Sequence, residues 1–399
     1  NQCIPVSRMK NQSVIRQFSE SELHQQLETF GNHDKQLSRL IRYFSHLRYN
    51  TAKTYLHWLR VWNEWYLANA RLHTDWPVSS LPVSEDALLA FMGHLEGKLS
   101  RSSINSCLQA LNSIHKKGLN LPGIITSEAW YMLEALKQSE ARKRKTTKQA
   151  TPFLIGDLKA LIKLRSTTNS VRKLRDLCLI WTGFETLLRS SEIRRIRLKD
   201  LSLDSMTGEF NLTVYRTKTN ISTLLTYRLT RQLTNCLLRL MNLVKMDQHS
   251  HPDEYLFQAV NFHDTGYMPP GWKLRSKGNE LSELLKRHNL PYRAKQSLLN
   301  DEDEEDTVDD AGMLSKNSLL RAFKEMWNEL YPNETKTRYW TGHSVRVGGA
   351  IQLDIEGYSL PQIMEMGNWS NEEMVMRYIR NIEAGKKAMI KLMRNAFDE

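Results

Sequence analysis

Cysteine is scarce: the 399 residues hold four (Cys3, Cys107, Cys178 and Cys236), far apart and in no C-x-x-C spacing. That excludes a disulfide framework and a cysteine-rich zinc site, and the four read as reduced packing residues. No apolar run of the roughly 18 residues that could span a bilayer is present. No basic segment leading into an apolar one opens the chain, so the expectation is a soluble protein that nothing directs to secretion. A Walker P-loop is missing too, which argues against nucleotide hydrolysis. Tandem repeats are also lacking. What remains is a globular composition, 40% hydrophobic and 25% charged, in a chain long enough for two cores.

Charge is the first positive signal. Lys and Arg number 56 against 44 Asp and Glu, a formal +12. Eight of the acids lie in 301–310 (DEDEEDTVDD), and without them the rest carries +20. An excess of that size suits a polyanionic partner, because each neutralised phosphate releases condensed counterions. Consecutive acids in a turn-rich segment are usually solvated, so the run reads as an acidic loop (301–312) and no metal site is expected.

Hydrophobic spacing divides the chain. Residues 1–18 are polar and weakly patterned, a flexible tail. Ser19 and Glu22 then match an S-x-x-E capping box ahead of Leu23, Leu27 and Phe30. Helical spacing recurs over 50–70 (Tyr55, Leu59, Trp62, Leu67) and 84–97 (Leu88, Phe91, Met92, Leu95). In 100–117, Ile104, Leu108 and Leu111 form the apolar stripe, while Arg101, Asn105, Gln109, Asn112 and Lys116 gather on an acid-free flank. That flank suits a DNA groove and equally suits an ordinary solvated face. Arg142 to Lys148 supplies five cations in seven residues before Pro152, a basic linker (139–152). Beyond it, 174–184 is an apolar helix, 210–215 alternates like a strand, and 223–229 is its hairpin partner, with Lys218 at the tip. Helices resume at 315–330, 361–366 and 372–379. The expected fold is mainly α with a small antiparallel sheet: a helical domain over 19–138 and a mixed α/β domain over 153–399.

Three strings carry chemistry. Gly342-His343-Ser344-Val345-Arg346-Val347-Gly348 places an imidazole and a guanidinium one helical turn apart. Upstream stands TLLRSSEIRRIRLKD (186–200), with Arg189 at a helix start and Glu192 three residues on. Downstream stand Gly367-Asn368-Trp369-Ser370 and then Val375-Met376-Arg377-Tyr378-Ile379-Arg380-Asn381. The order Arg, Lys, His-x-x-Arg, Trp, Tyr resembles the tyrosine recombinase, or phage-type integrase, family, and its Cre-like branch in particular. The likeness is weak before residue 140 and strong from Leu174 to about Met393.

That resemblance implies a helical core-binding domain and a catalytic domain closing as a clamp on DNA. Arg189 and Arg346 would clamp a phosphate, His343 would be the active-site histidine, Lys218 the hairpin lysine, Trp369 a hydrogen-bonding residue, Glu192 a supporting carboxylate and Tyr378 the nucleophile. The chemistry agrees: two fixed guanidiniums and an indole N–H answer the charge that builds on a phosphate, so neither metal nor other cofactor is needed. A phenol with a pKa of about 10 needs a proton acceptor, and His343 is the candidate; Lys218 would protonate the leaving 5′ oxygen. DNA contacts are expected from Lys53, Arg101, Ser102, Asn105, Lys116 and Lys117 in the first domain and from Lys316 and Asn317 in the second. Asn317 falls where Cre-like members carry an arginine that reads guanine, and asparagine suits adenine. The partners implied are duplex DNA with inverted-repeat sites and copies of the chain itself, a dimer on one site and a tetramer in the synapse. The terminal helix (382–399) would dock on a neighbouring protomer. The setting implied is cytoplasmic and nucleoid-associated. A type IB topoisomerase or telomere resolvase shares the same residue set, and a non-catalytic DNA-binding regulator is the reading from another class. The stretch 258–314 looks like an insertion relative to the family.

Overall fold

A computed structural model of the chain describes residues 17–30, 34–73, 75–142, 149–216, 223–268, 312–334 and 338–380, which fall into two compact units, 17–142 and 149–380. Among the described residues no helix is long and apolar enough to cross a membrane.

The first unit is all helix. Ser19 caps Glu20–Leu27, and the carboxylate of Glu22 accepts from the Ser19 N–H at 2.8 Å, so two orphan amides at the helix start are satisfied. Asp34–Ser45 follows. The long helix Tyr49–Asn69 buries Tyr49, Ala52, Leu56, Leu59, Trp62 and Tyr66, a stripe at spacings of three and four. Trp62 anchors this core: its ring meets Phe91 edge-on at 5.2 Å and its indole N–H donates to the Ser80 carbonyl at 2.9 Å. Burying such a ring contributes roughly 2–3 kcal/mol. Glu85–Leu95, Arg101–Ser113 and Ser127–Arg142 complete the unit. The helix expected over 100–117 changes pitch at its end, where Ile114–Gly118 forms a π-helical turn. Gly118 packs there against Leu40 and Tyr43, so a closer approach of the chain is possible than a side chain would allow.

The second unit wraps helices around Val171–Thr186, which is buried on nearly every side. Helix Ile155–Arg165 and helix Arg231–Leu243 pack against it. A three-stranded antiparallel sheet, β1 (Leu201–Leu203), β2 (Phe210–Arg216) and β3 (Thr223–Arg228), lies in that order, with Leu201 opposite Leu212 and Asn211 opposite Arg228. Phe210, Leu212 and Val214 alternate into the core, as a strand with one buried face requires. Strand β1 was not expected: three residues carry too little alternation to register. Two buried arginines are ion-paired: Arg165 reaches Glu329 at 2.6 Å, and Arg175 holds Asp176 at 2.8 Å. Helices Lys316–Leu330, Ser344–Ile355, Leu360–Gly367 and Glu372–Arg380 follow, the first capped by Ser315. The last three enclose a separate apolar cluster of Leu187, Val347, Ile351, Ile363, Trp369, Val375, Tyr378 and Ile379.

Candidate active site

The site is built on backbone as much as on side chains. Helix Val171–Thr186 ends at Leu187, whose φ of 50° is left-handed. Such a conformation costs a non-glycine residue about 1–2 kcal/mol. Burial of the Leu187 side chain offsets it, and the turn aims the Leu187 carbonyl at Arg346, which donates to it from Nη1. From Nη2 the same guanidinium donates to the Gly367 carbonyl at 3.0 Å. Its third contact is a stack 4.6 Å over the Trp369 ring. Arg346 is therefore buried and fixed in orientation by groups on two other helices. Gly367 permits the stack, since a Cβ there would lie 2.0 Å from the indole.

Tyr378, buried on the Glu372–Arg380 helix, points its hydroxyl at His343, Oη to Nε2 2.8 Å. The two rings meet edge-on at 5.4 Å, and Tyr378 meets Trp369 edge-on at 6.2 Å. Burial pushes the Tyr378 phenol above its ordinary pKa, while the guanidiniums of Arg346, Arg377 and Arg189 pull it down. For His343, partial burial and then Arg346 and Arg189 all disfavour the imidazolium, which lowers the pKa from its ordinary 6.5. The imidazole is thus neutral at pH 7, able to accept a proton from the phenol. Where both could have shared one helical face, His343 stands at the N-cap of Ser344–Ile355 with an exposed edge, and Arg346 one turn on is buried.

Arg189 precedes the short helix Ser190–Arg194. Glu192 accepts from its backbone N–H at 2.7 Å and from its Nη1 at 3.1 Å, so the carboxylate caps the helix and steadies the guanidinium together. The indole N–H of Trp369 is buried and has no hydrogen-bond partner among the described residues. An orphan buried donor costs about 1–3 kcal/mol, and an anionic oxygen placed against it would recover that. Arg189, Glu192, His343, Arg346, Trp369 and Tyr378 are thus all assembled in one unit. Lys218 lies outside the described residues, as do the acid run at 301–310 and the tail 382–399; the strands flanking Lys218 pair through Arg216 and Thr223.

Gly348 sets the spacing of the site. A Cβ on it would fall 1.7 Å from the Phe153 carbonyl oxygen, because the chain entering this unit lies directly on the helix, Phe153 N–H donating to Ser344 at 3.1 Å. Gly348→Ala is expected to destabilise by roughly 3 kcal/mol through overpacking, lowering Tm by about 6–12 °C in a unit of this size. Thermal melting checks it; an unchanged Tm would mean the entering segment yields freely.

The suggested nucleic-acid contacts fall on exposed helix faces. Lys53 and Ser102 share one open cleft of about 570 Å³ with Thr54, His57, Trp58 and Ser106, between helices Tyr49–Asn69 and Arg101–Ser113. Arg101 is partly engaged, donating to the Leu133 carbonyl at 3.2 Å and pairing with Glu134 at 3.4 Å. Asn105 is half-buried. Lys116 and Lys117 are exposed in the π-helical turn, and Lys316 and Asn317 are exposed in the first turn of their helix. The carbonyls of Leu187 and Gly367 that hold Arg346 leave no signal in residue type, since every residue carries a backbone acceptor. His57 and Trp58, which line the cleft, look in the sequence like one more turn of an amphipathic helix.

The recombinase Cre of Escherichia phage P1 is similar to this chain, 28% identical over 351 residues that cover 86% of the chain and 88% of Cre. Among solved structures, a fragment (aa 82-397) of the Tn1549 transposon integrase in complex with a circular intermediate DNA matches with a TM-score of 0.53 at 13% identity, covering 90% of this chain and 98% of that fragment. The XerH site-specific recombinase bound to a palindromic difH substrate matches at a TM-score of 0.46 and 12% identity over 95% of both chains. Residues 156–384 match the phage integrase family, more than half of the sequence, and the chain belongs to that family of tyrosine recombinases.

Proposed function

We propose that this chain cuts and rejoins DNA at specific sites through a covalent bond between Tyr378 and a backbone phosphate. The observation that carries the reading is the Tyr378 hydroxyl held 2.8 Å from a neutral His343 beside the Arg346–Trp369 stack. The phenolic oxygen attacks phosphorus as His343 takes its proton, forming a 3′-phosphotyrosyl bond. The guanidiniums of Arg189 and Arg346 and the indole N–H of Trp369 bind the nonbridging oxygens, and Lys218 protonates the departing 5′ oxygen. Bond energy is conserved in the phosphotyrosine, so ATP and a metal are not required. Attack by a 5′ hydroxyl from a second site reverses the step with exchanged strands, and two rounds pass through a Holliday junction. The Lys53–Ser102 cleft, Lys116, Lys117, Lys316 and Asn317 make the DNA contacts. Two copies fill one inverted-repeat site and four form the synapse.

The test starts from duplexes that the chain enriches out of a randomised pool. Incubation in EDTA should yield an SDS-resistant protein–DNA adduct carrying a 3′ phosphate. The acid limb of its rate should be half-maximal below pH 6.5, because the His343 pKa lies below that ordinary value and the rate falls as the imidazole protonates. The stability sign is the same: protonation favours the unfolded chain, so this group costs stability as pH falls below 6.5. No adduct with any enriched duplex would overturn the reading, and a half-maximal rate above pH 6.5 would remove His343 as acceptor.

A further inference from the structure

Residues 149–154, the first described residues of the second unit, run along both helices that carry the reacting groups. The side-chain amide of Gln149 donates to the backbone carbonyl of Tyr378 at 3.3 Å. Thr151 donates from Oγ1 to the Arg338 carbonyl at 2.7 Å, and the Trp340 indole donates to the Pro152 carbonyl at 3.3 Å. Phe153 N–H reaches Ser344, beside His343, at 3.1 Å. Ala150 and Leu154 pack on the apolar cluster that contains Trp369 and Tyr378. One short strap is therefore pinned at its far end to the helix of His343 and Arg346, and at its near end to the nucleophile's own peptide.

We propose that Gln149 is a positioning residue for Tyr378, fixing through that carbonyl where the phenol sits relative to His343. Tyr378 sits on the Glu372–Arg380 helix, and the Gln149 side chain donates to its carbonyl, which ties the nucleophile's own peptide to the strap. The hydroxyl sits at the end of a long rigid side chain, so a small rotation of the backbone at Tyr378 moves Oη by more than the tolerance of a 2.8 Å contact. Gln149 supplies a donor at that peptide. Pro152 and the Phe153–Gly348 contact keep the strap from sliding, so the amide is delivered from a fixed base.

The inference rests on Tyr378 as the nucleophile, and two measurements keep the failure of each apart. The first needs no DNA: 3-fluorotyrosine is placed at 378 in the full chain and its fluorine resonance recorded. Gln149→Ala and Gln149→Met should shift and broaden it, while Gln149→Lys, which restores a donor of similar reach, should return it towards the parent. The second is adduct formation with a saturating enriched duplex. There Gln149→Ala and Gln149→Met should slow the bond-forming step about tenfold with Kd changed less than about twofold, and Gln149→Lys should recover most of the rate. A resonance indifferent to Gln149→Ala and Gln149→Met overturns the positioning role. So does a Gln149→Met variant as fast as the parent, or a loss confined to Kd. A resonance that responds as expected in a chain that forms no adduct upholds the positioning and overturns the proposed function instead.

Discussion

Tyr378→Phe should abolish the covalent adduct, lowering its rate by at least roughly four orders of magnitude, the scale seen when the nucleophile of a covalent enzyme is removed. DNA affinity should stay within about twofold, because the substitution deletes one oxygen and leaves the buried ring against Trp369 and Val375 in place. The phenol's partner is His343, so the variant also frees one imidazole nitrogen at an exposed edge, where water replaces the lost bond at a net cost of about 1 kcal/mol or less. Folding is thus nearly intact and the comparison is clean. Gel electrophoresis in SDS with an enriched, end-labelled duplex makes the measurement. An adduct formed by Tyr378→Phe at more than about one part in a hundred of the parent rate would assign the bond to another residue.

The residues whose chemistry lies in their side-chain type were legible in the sequence; those that act through shape or backbone were not. His343 and Arg346 stand out because a histidine and an arginine one turn apart, with Arg189, Trp369 and Tyr378 in family order, form a combination that packing alone does not produce. Ser19 with Glu22, and Ser315 ahead of Lys316–Leu330, announce their helices by capping chemistry. Glu192, the expected supporting carboxylate, both caps the short helix and pairs with Arg189. By contrast, the exposures of His343 and Arg346 differ for a reason spacing cannot show: carbonyls of Leu187 and Gly367, distant in sequence, draw the guanidinium inward. Gly348 looks like any helical glycine until the Phe153 carbonyl is seen 1.7 Å from where its Cβ would be. Strand β1 and the pitch change at Ile114–Gly118 are too short to leave a period. Contacts distant in sequence decide the exposure of Arg346 and the close approach at Gly348.

Arg346→Lys should keep the fold and the positive charge yet slow adduct formation by about a hundredfold to a thousandfold, roughly 3–4 kcal/mol of transition-state stabilisation. Arginine does three things here that one ammonium cannot do together: it donates to Leu187, donates to Gly367, and sits 4.6 Å over the Trp369 ring. A planar fork tied to both carbonyls is held in one orientation, whereas a lysine head rotates and satisfies one carbonyl at most. Arg346→Met separates charge from geometry. It leaves both carbonyls without this donor, at about 1–3 kcal/mol each where no water enters, and removes a cation that acts on both reacting groups. With the guanidinium gone, the His343 pKa should rise towards its ordinary value and the Tyr378 phenol should become still harder to ionise. Two opposing consequences follow for the rate: an imidazole more easily lost to protonation at low pH, and a nucleophile with less help at any pH. The acid limb of the profile should therefore move upward in Arg346→Met and stay near the parent in Arg346→Lys, while both variants are slow on the plateau. Imidazole NMR titration of His343 and single-turnover adduct kinetics read the two effects separately. Full plateau activity in Arg346→Lys would show that the charge alone suffices and that the fork held by Leu187 and Gly367 serves only the fold.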